Sequence, residues 1–372
     1  MTLPWSAARP PPPTSSSPNS APAEEQGRSR VGGAALFFVR ALDFSRILGN
    51  SSVMFTLPEL EAAAALVHAA FPATASYAWP LLAARTGSEI WVKHENHTPT
   101  GAFKVRGGIT YFDRLKRDRP QVRGVVSATR GNHGQSLAYA GARAGIPVTI
   151  VVPLGNSREK NAAMRAQGAV LVEHGEDFDA ARIHARALAE RDNLEFAPSF
   201  APDLVVGVAT WALELFRAAP PLDALYVPIG LGSGICGAIM ARDLLGLKTE
   251  IIGVQSTGAP SYALSFAAGR VVETARAETH ADGMATRMPD ADALALIRRG
   301  ASRIITVTDG EVAHAIRAYW TDTHNLAEGA GAAPLAALMQ DNRKNQRLAT
   351  VLCGGNIDLA LFRRWVLEPD DV

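Results

Sequence analysis

The sequence predicts an α/β protein with two open, mostly parallel sheets flanked by helices, and three observations carry that prediction. From Glu89 onward, short apolar runs alternate with segments of helical period, the order that a parallel sheet covered on both faces requires. Glycine-rich turns stand at strand-to-helix junctions, as from Gly230 to Gly237. Hydrophobic residues fill 47% of the 372 positions and charged ones 20%, enough for two domains and a substantial core.

The same composition excludes other classes. A net charge of +1 gives no electrostatic pull toward nucleic acid or a membrane surface. No run approaches the roughly 18 apolar residues that span a bilayer. Cys236 and Cys353 form neither a disulfide framework nor a metal spacing, which fits a reducing cytoplasm.

Residues 1–50 lack periodicity and are rich in proline and serine, so a disordered extension is expected there, with a short helix at 34–42. No positive start leads into an apolar core, which argues against a secretory signal. The folded part begins near Met54, where 57–70 reads as a helix with Pro58 in its first turn. A strand at 89–93 leads through a lysine-bearing loop into a helix ending at 116. Strands at 122–127, 148–152, 169–172 and 194–197 then alternate with a helix ending at 144 and helices at 157–167 and 177–191. That series makes a small α/β unit at 124–198, inserted in a larger domain of 51–123 and 199–372. The larger domain resumes with a helix at 203–217, a strand at 224–229, a helix at 234–245 and a strand at 250–255. A strand at 303–307, helices at 309–323 and 332–339, and a strand at 349–352 complete its sheet.

Five stretches carry candidate chemistry. Lys104 lies between Phe103 and Val105, with Gly101 before it and Gly107-Gly108 after. Apolar company disfavours an ammonium and leaves an amine able to attack a carbonyl; a helix-start lysine with its head in solvent is the plainer reading of this stretch alone. Gly230, Leu231, Gly232, Ser233 and Gly234 follow a strand and open a helix, so their N–H groups suit a phosphate. The letters also approach a dinucleotide fingerprint, but Gln255 stands where the ribose-binding acid belongs, and a plain tight turn is the third reading. Thr129, Arg130, Gly131, Asn132 and His133 bring a hydroxyl, backbone donors, an amide and an imidazole to a helix start, a set for a small carboxylate and a hydroxyl or phenolate; a capped helix is the bland alternative. Cys353 ends a strand at the edge where ligands gather in open sheets, or else is a small buried hydrophobe. Glu328 opens a helix, either as a first-turn acid or as a site carboxylate.

In this order and spacing, the stretches resemble the threonine/serine dehydratase (threonine ammonia-lyase) family, the pyridoxal-phosphate enzymes of the tryptophan-synthase β fold, or fold type II. The resemblance runs from Leu57 to Trp365. It implies pyridoxal 5'-phosphate bound in the larger domain, with Lys104 carrying it as a Schiff base beside Phe103. It further implies that Asn132 bonds the cofactor's ring oxygen, that Gly230 to Gly234 hold its phosphate, and that Cys353 faces its pyridine nitrogen in place of the usual serine or threonine. Thr129, Arg130, Gly131 and His133 are then the substrate-binding residues. The implied reaction is dehydration and deamination of a hydroxy amino acid, L-threonine before L-serine, to a 2-oxo acid and ammonia. Threo-3-hydroxyaspartate is an alternative substrate; a β-replacement synthase and a serine racemase-like enzyme are the alternatives of the same fold. A homodimer or homotetramer is implied as well, with no nucleic-acid or membrane partner.

Three departures from the family pattern bear on this reading. Arg130 replaces a small residue and stays protonated, which argues against a second-face base and for a second substrate carboxylate. Gln255, Ala259 and Ser261 replace the acids that bind a divalent ion in metal-activated members, so no metal is expected. Gly207-Val208-Ala209-Thr210 differs from the usual Gly-Gln-Gly-Thr and leaves the substrate pocket open. With the chain ending at Val372, the regulatory domain of the biosynthetic enzymes and its isoleucine feedback are not expected.

Overall fold

The computed structural model describes residues 54–368. The extension expected at 1–50 and the short helix at 34–42 lie outside them. Thr56 starts the first helix, α1 (Leu57–His68), through a capping box: its hydroxyl accepts from the Glu59 N–H, and the Glu59 carboxylate accepts from the Thr56 N–H at 2.7 Å. A short strand β1 (Ser76–Ala78) and helix α2 (Pro80–Thr86) follow, then β2 (Glu89–His94), a 3-10 turn (Glu95–His97) and α3 (Lys104–Asp118).

Next come β3 (Val125–Ala128), α4 (Asn132–Ala144), β4 (Val148–Val152), α5 (Arg158–Ala166), β5 (Val170–Glu173), α6 (Phe178–Asp192) and β6 (Glu195–Phe196). The chain continues through α7 (Pro202–Ala218), β7 (Ala224–Pro228), α8 (Ser233–Leu244), β8 (Glu250–Ser256), α9 (Ser261–Ala268), α10 (Ala291–Gly300) and β9 (Arg303–Val307). It closes with α11 (Asp309–Thr323), α12 (Gly329–Asp341), β10 (Arg347–Leu352) and α13 (Leu359–Phe362).

Two sheets result. One has the order β1-β2-β10-β7-β8-β9 and is parallel except for the edge strand β1; the other runs β5-β4-β3-β6, all parallel. The first order positions the site. β10 lies between β2 and β7, and all three point the same way, so the segments leaving their carboxyl ends emerge side by side. Those segments carry Lys104, Cys353 and Gly230 to Ser233.

The main core lies on the six-stranded sheet, where Val92, Trp211, Tyr226, Ile252 and Tyr319 are buried. A second cluster, with Val105, Phe112, Leu137 and Ile150, joins α3 and α4 to the four-stranded sheet. Below the start of α3 sits a buried ionic group. The Arg106 guanidinium donates to Glu95 at 2.6 and 2.9 Å and to Glu214 at 2.6 and 2.8 Å, and Lys93 donates to Glu214 at 2.5 Å. Two cations thus meet two anions, the balance a buried charge cluster requires. No helix among the described residues is long and apolar enough to cross a membrane.

Candidate active site

The loop before α3 is held to the end of β10. Phe103 N–H donates to the Cys353 carbonyl at 2.9 Å, Ala102 bridges Gly354, and the Thr98 hydroxyl donates to the Ala102 carbonyl at 2.8 Å. So anchored, Lys104 begins α3 with its Nζ 2.9 Å from the Ser233 Oγ and 5.1 Å from the centre of the Phe103 ring. Part of the Lys104 surface meets solvent, yet burial of the amine lowers its pKa from 10.5 to about 8.

Ser233 is the first residue of α8, so Lys104 meets the positive end of a helix. The turn ahead of it depends on bare backbone: a Cβ on Gly230 would stand 2.4 Å from the Gly283 carbonyl, and Gly232 takes φ +102°. The Tyr262 hydroxyl donates to the Leu231 carbonyl at 2.9 Å and holds the turn from outside.

The other wall comes from the β3–α4 junction. Thr129 is buried, and its hydroxyl accepts from the Gly131 N–H at 3.3 Å. Asn132 starts α4; its Nδ2 donates to Glu328 Oε1 at 2.7 Å and its Oδ1 accepts from Asn356 Nδ2 at 2.8 Å. His133 is buried beside Lys104: burial first, and the lysine's charge second, lower its pKa to about 3, so the ring is neutral. Its Nε2 has no hydrogen-bond partner. Cys353 is buried where β10 ends; burial, then the Glu328 carboxylate, push its thiol well above the usual range, and it keeps its proton.

Arg130 stands apart from these contacts. Its side chain is exposed and lines a cavity of about 290 Å³ together with Asn156, Lys160, Asp282, Glu328 and Asn356. Lys160 is ion-paired with Asp282 across that cavity wall. At the three positions that hold a divalent ion in metal-activated members, the Gln255 Oε1 accepts from the Ala263 N–H at 2.9 Å, the Ser261 hydroxyl donates to the Thr286 carbonyl at 2.7 Å, and Ala259 offers only a methyl. Among the described residues, no group of three or more His, Cys, Asp or Glu side chains is placed to hold a metal ion.

The donor set fits an aromatic aldehyde that carries a phosphate. It supplies an amine of lowered proton affinity, a hydroxyl at a helix start, a phenyl ring, an amide with one N–H unspent, a neutral thiol and an orphaned imidazole nitrogen. Asn356, passed over in the sequence, joins this set by bonding both Asn132 and the Thr100 carbonyl. Its place in a Gly-Gly-Asn turn after a strand was the available signal. Glu328, at the start of α12, points at Asn132 and makes no cap bond to its own helix, which favours a site carboxylate over a first-turn acid.

Residues 72–354 match the family described as pyridoxal-phosphate dependent enzyme. An L-threonine ammonia-lyase of Thermotoga maritima is 33% identical over 313 residues, covering 84% of this chain and 78% of that protein. An L-threo-3-hydroxyaspartate ammonia-lyase of Pseudomonas sp is 32% identical, covering 76% of this chain and 89% of that one. Among solved structures, a threonine deaminase from T.th. matches with a TM-score of 0.77 at 30% identity, over 82% of this chain and 99% of that chain. Maize serine racemase matches with a TM-score of 0.79 over 86% of this chain and 98% of its own, and at 23% identity it shows the shared fold. By the family match over residues 72–354 and the similarity to these lyases and structures, the chain belongs to the pyridoxal-phosphate dependent enzymes of fold type II.

Proposed function

We propose that this chain is an ammonia-lyase that eliminates the β-hydroxyl of a hydroxy amino acid, taking L-threonine in preference to L-serine. The observation that carries the reading is the Lys104 amine 2.9 Å from Ser233 at the start of α8, with Cys353 just past the end of the strand that lies between theirs. The names of the similar lyases support it. When bound, pyridoxal phosphate supplies the electron sink for the carbon bearing the amino group.

The residues of this chain do the rest. The Gly230 to Gly234 turn, Ser233 included, would hold the phosphate, and Asn132 would bond the ring oxygen. Lys104, whose amine loses its proton near pH 8, takes the Cα proton of the substrate. Cys353 keeps its own proton and so places no negative charge at the ring nitrogen, which favours early departure of the β-substituent. Thr129 and the Gly131 N–H would hold the substrate carboxylate, with the neutral His133 ring packed beside Lys104. The Cα–H and Cβ–O bonds break, water is lost and regained, and 2-oxo acid and ammonia leave with no net oxidation.

Arg130 favours a second substrate, threo-3-hydroxyaspartate. Among the described residues no side chain pairs with its guanidinium, which lines the cavity reached by Asn356 and Glu328. Residues 124–198 would serve as a small domain within the cofactor-binding body, in a dimer or tetramer that light scattering would show. The test offers L-threonine, L-serine and threo-3-hydroxyaspartate to the holoenzyme, with and without EDTA, and follows 2-oxo acid. Fastest release of 2-oxobutanoate, indifferent to EDTA, is expected. Oxaloacetate alone would transfer the assignment to the Arg130 reading, and no 2-oxo acid from any of the three would refute both.

A further inference from the structure

Asn132 spends most of its amide inside the protein. One Nδ2 hydrogen goes to Glu328 Oε1 at 2.7 Å, and Oδ1 accepts from Asn356, whose Nδ2 also donates to the Thr100 carbonyl at 2.8 Å. A carboxylate accepts and cannot donate, so it turns the nitrogen of the neighbouring amide toward itself. The oxygen then faces Asn356, and one N–H is left for a ligand.

Glu328 is an unusual residue to find in this position. It is 3% exposed, its side chain makes no cap bond to α12, and its Oε2 is buried without a hydrogen-bond partner. Burying a carboxylate is costly, and an acid serving the helix alone would face solvent in the first turn. Space has been left for it: a Cβ on Gly354 would stand 2.4 Å from Glu328 Oε1. The charged and titratable groups around it are Lys160 from α5, Asp282 from the 3-10 turn at Asp282–Met284, and the Cys353 thiol after β10. Burial outweighs the pull of Lys160 and raises the proton affinity of Glu328 above the usual carboxylate range.

We propose that Glu328 is a positioning residue for Asn132: with Asn356 it fixes the amide so that a single N–H is presented to the ring oxygen of the cofactor. The proposal rests on the cofactor-binding reading of Asn132, and the test separates the two.

The experiment compares holoenzymes of the wild type, Glu328→Gln, Asn356→Ala, Asn132→Ala and the Glu328→Gln/Asn132→Ala double variant. It records the visible absorbance of the bound cofactor against pH, together with kcat and KM. Glu328→Gln is expected to load cofactor, to move the pH midpoint of the absorbance change by about half a unit or more, and to lower kcat about tenfold with KM within about twofold. In the Asn132→Ala background the same change should add less than about twofold, because the amide through which it acts is gone. Equal effects in both backgrounds, or a wild-type spectrum and kcat in Glu328→Gln, would overturn the proposal. Should Glu328→Gln fail to fold, Asn356→Ala releases the other end of the same amide, and an unmoved midpoint there would overturn it too. A wild-type protein that shows no visible band with pyridoxal phosphate would instead remove the cofactor reading, and the proposal with it.

Discussion

Lys104 acts through the state of one nitrogen. Its ammonium in water would hold its proton to about pH 10, and burial beside Phe103 and Ser233 brings that down to about 8. Capture of pyridoxal phosphate by the apoenzyme should therefore speed up roughly tenfold per pH unit below about pH 8 and level off above it, because only the neutral amine attacks. Stopped-flow absorbance checks this, and an inflection near 10 would show an amine that burial does not perturb. At this scale the sequence is readable in part. A lysine between Phe103 and Val105 with two glycines after it marks a candidate amine, though the stretch alone reads more plainly as a helix start, and it gains weight only beside the other motifs. The role of Glu328 stays open in the sequence, because spacing gives no direction to a side chain at a helix start; its aim at Asn132 depends on a turn across the cleft.

At the scale of elements, the start of α3 is held by the charges beneath it. Glu214 is pushed up by burial, but Arg106 and then Lys93 outweigh that and bring its pKa down to about 2. A carboxylate depressed in the fold stabilises it fully above the unfolded value near 4.5, and that stability is lost as pH falls toward 2. Urea midpoints should thus fall below about pH 4.5, and Glu214→Gln should flatten the dependence. Arg106→Leu leaves Glu95 and Glu214 buried without their main cation and should cost about 3–5 kcal/mol by denaturant titration; a loss within experimental error would contradict the account. This cluster was not legible, since Lys93, Glu95, Arg106 and Glu214 read separately as ordinary polar positions. The strands and most helices were legible from period and glycine turns. Strand β1 was not, being three residues long and half exposed, and α9 and α10 were passed over because no strand stands between them to mark the alternation.

The whole molecule shows where sequence reading stops. Alternating strand and helix predicts parallel sheets, but nothing local says that β10, near the end of the chain, lies between β2 and β7. That insertion puts Cys353 between the lysine loop and the glycine turn, and it follows from pairings such as Leu352 opposite His94 that span most of the chain. Gln255 and Ser261 are spent on protein hydrogen bonds, so activity unchanged by EDTA is the expected outcome, and restoration by magnesium of an EDTA-treated enzyme would contradict it.

Everything proposed for the site depends on Lys104 as the anchor of the cofactor, and one measurement addresses that directly. Holoenzyme is reduced with borohydride, digested, and the pyridoxyl-bearing peptide identified by mass spectrometry. The geometry predicts the pyridoxyl mass on Lys104. Its appearance instead on Lys160 or another lysine, with Lys104 unmodified, would contradict the site described above.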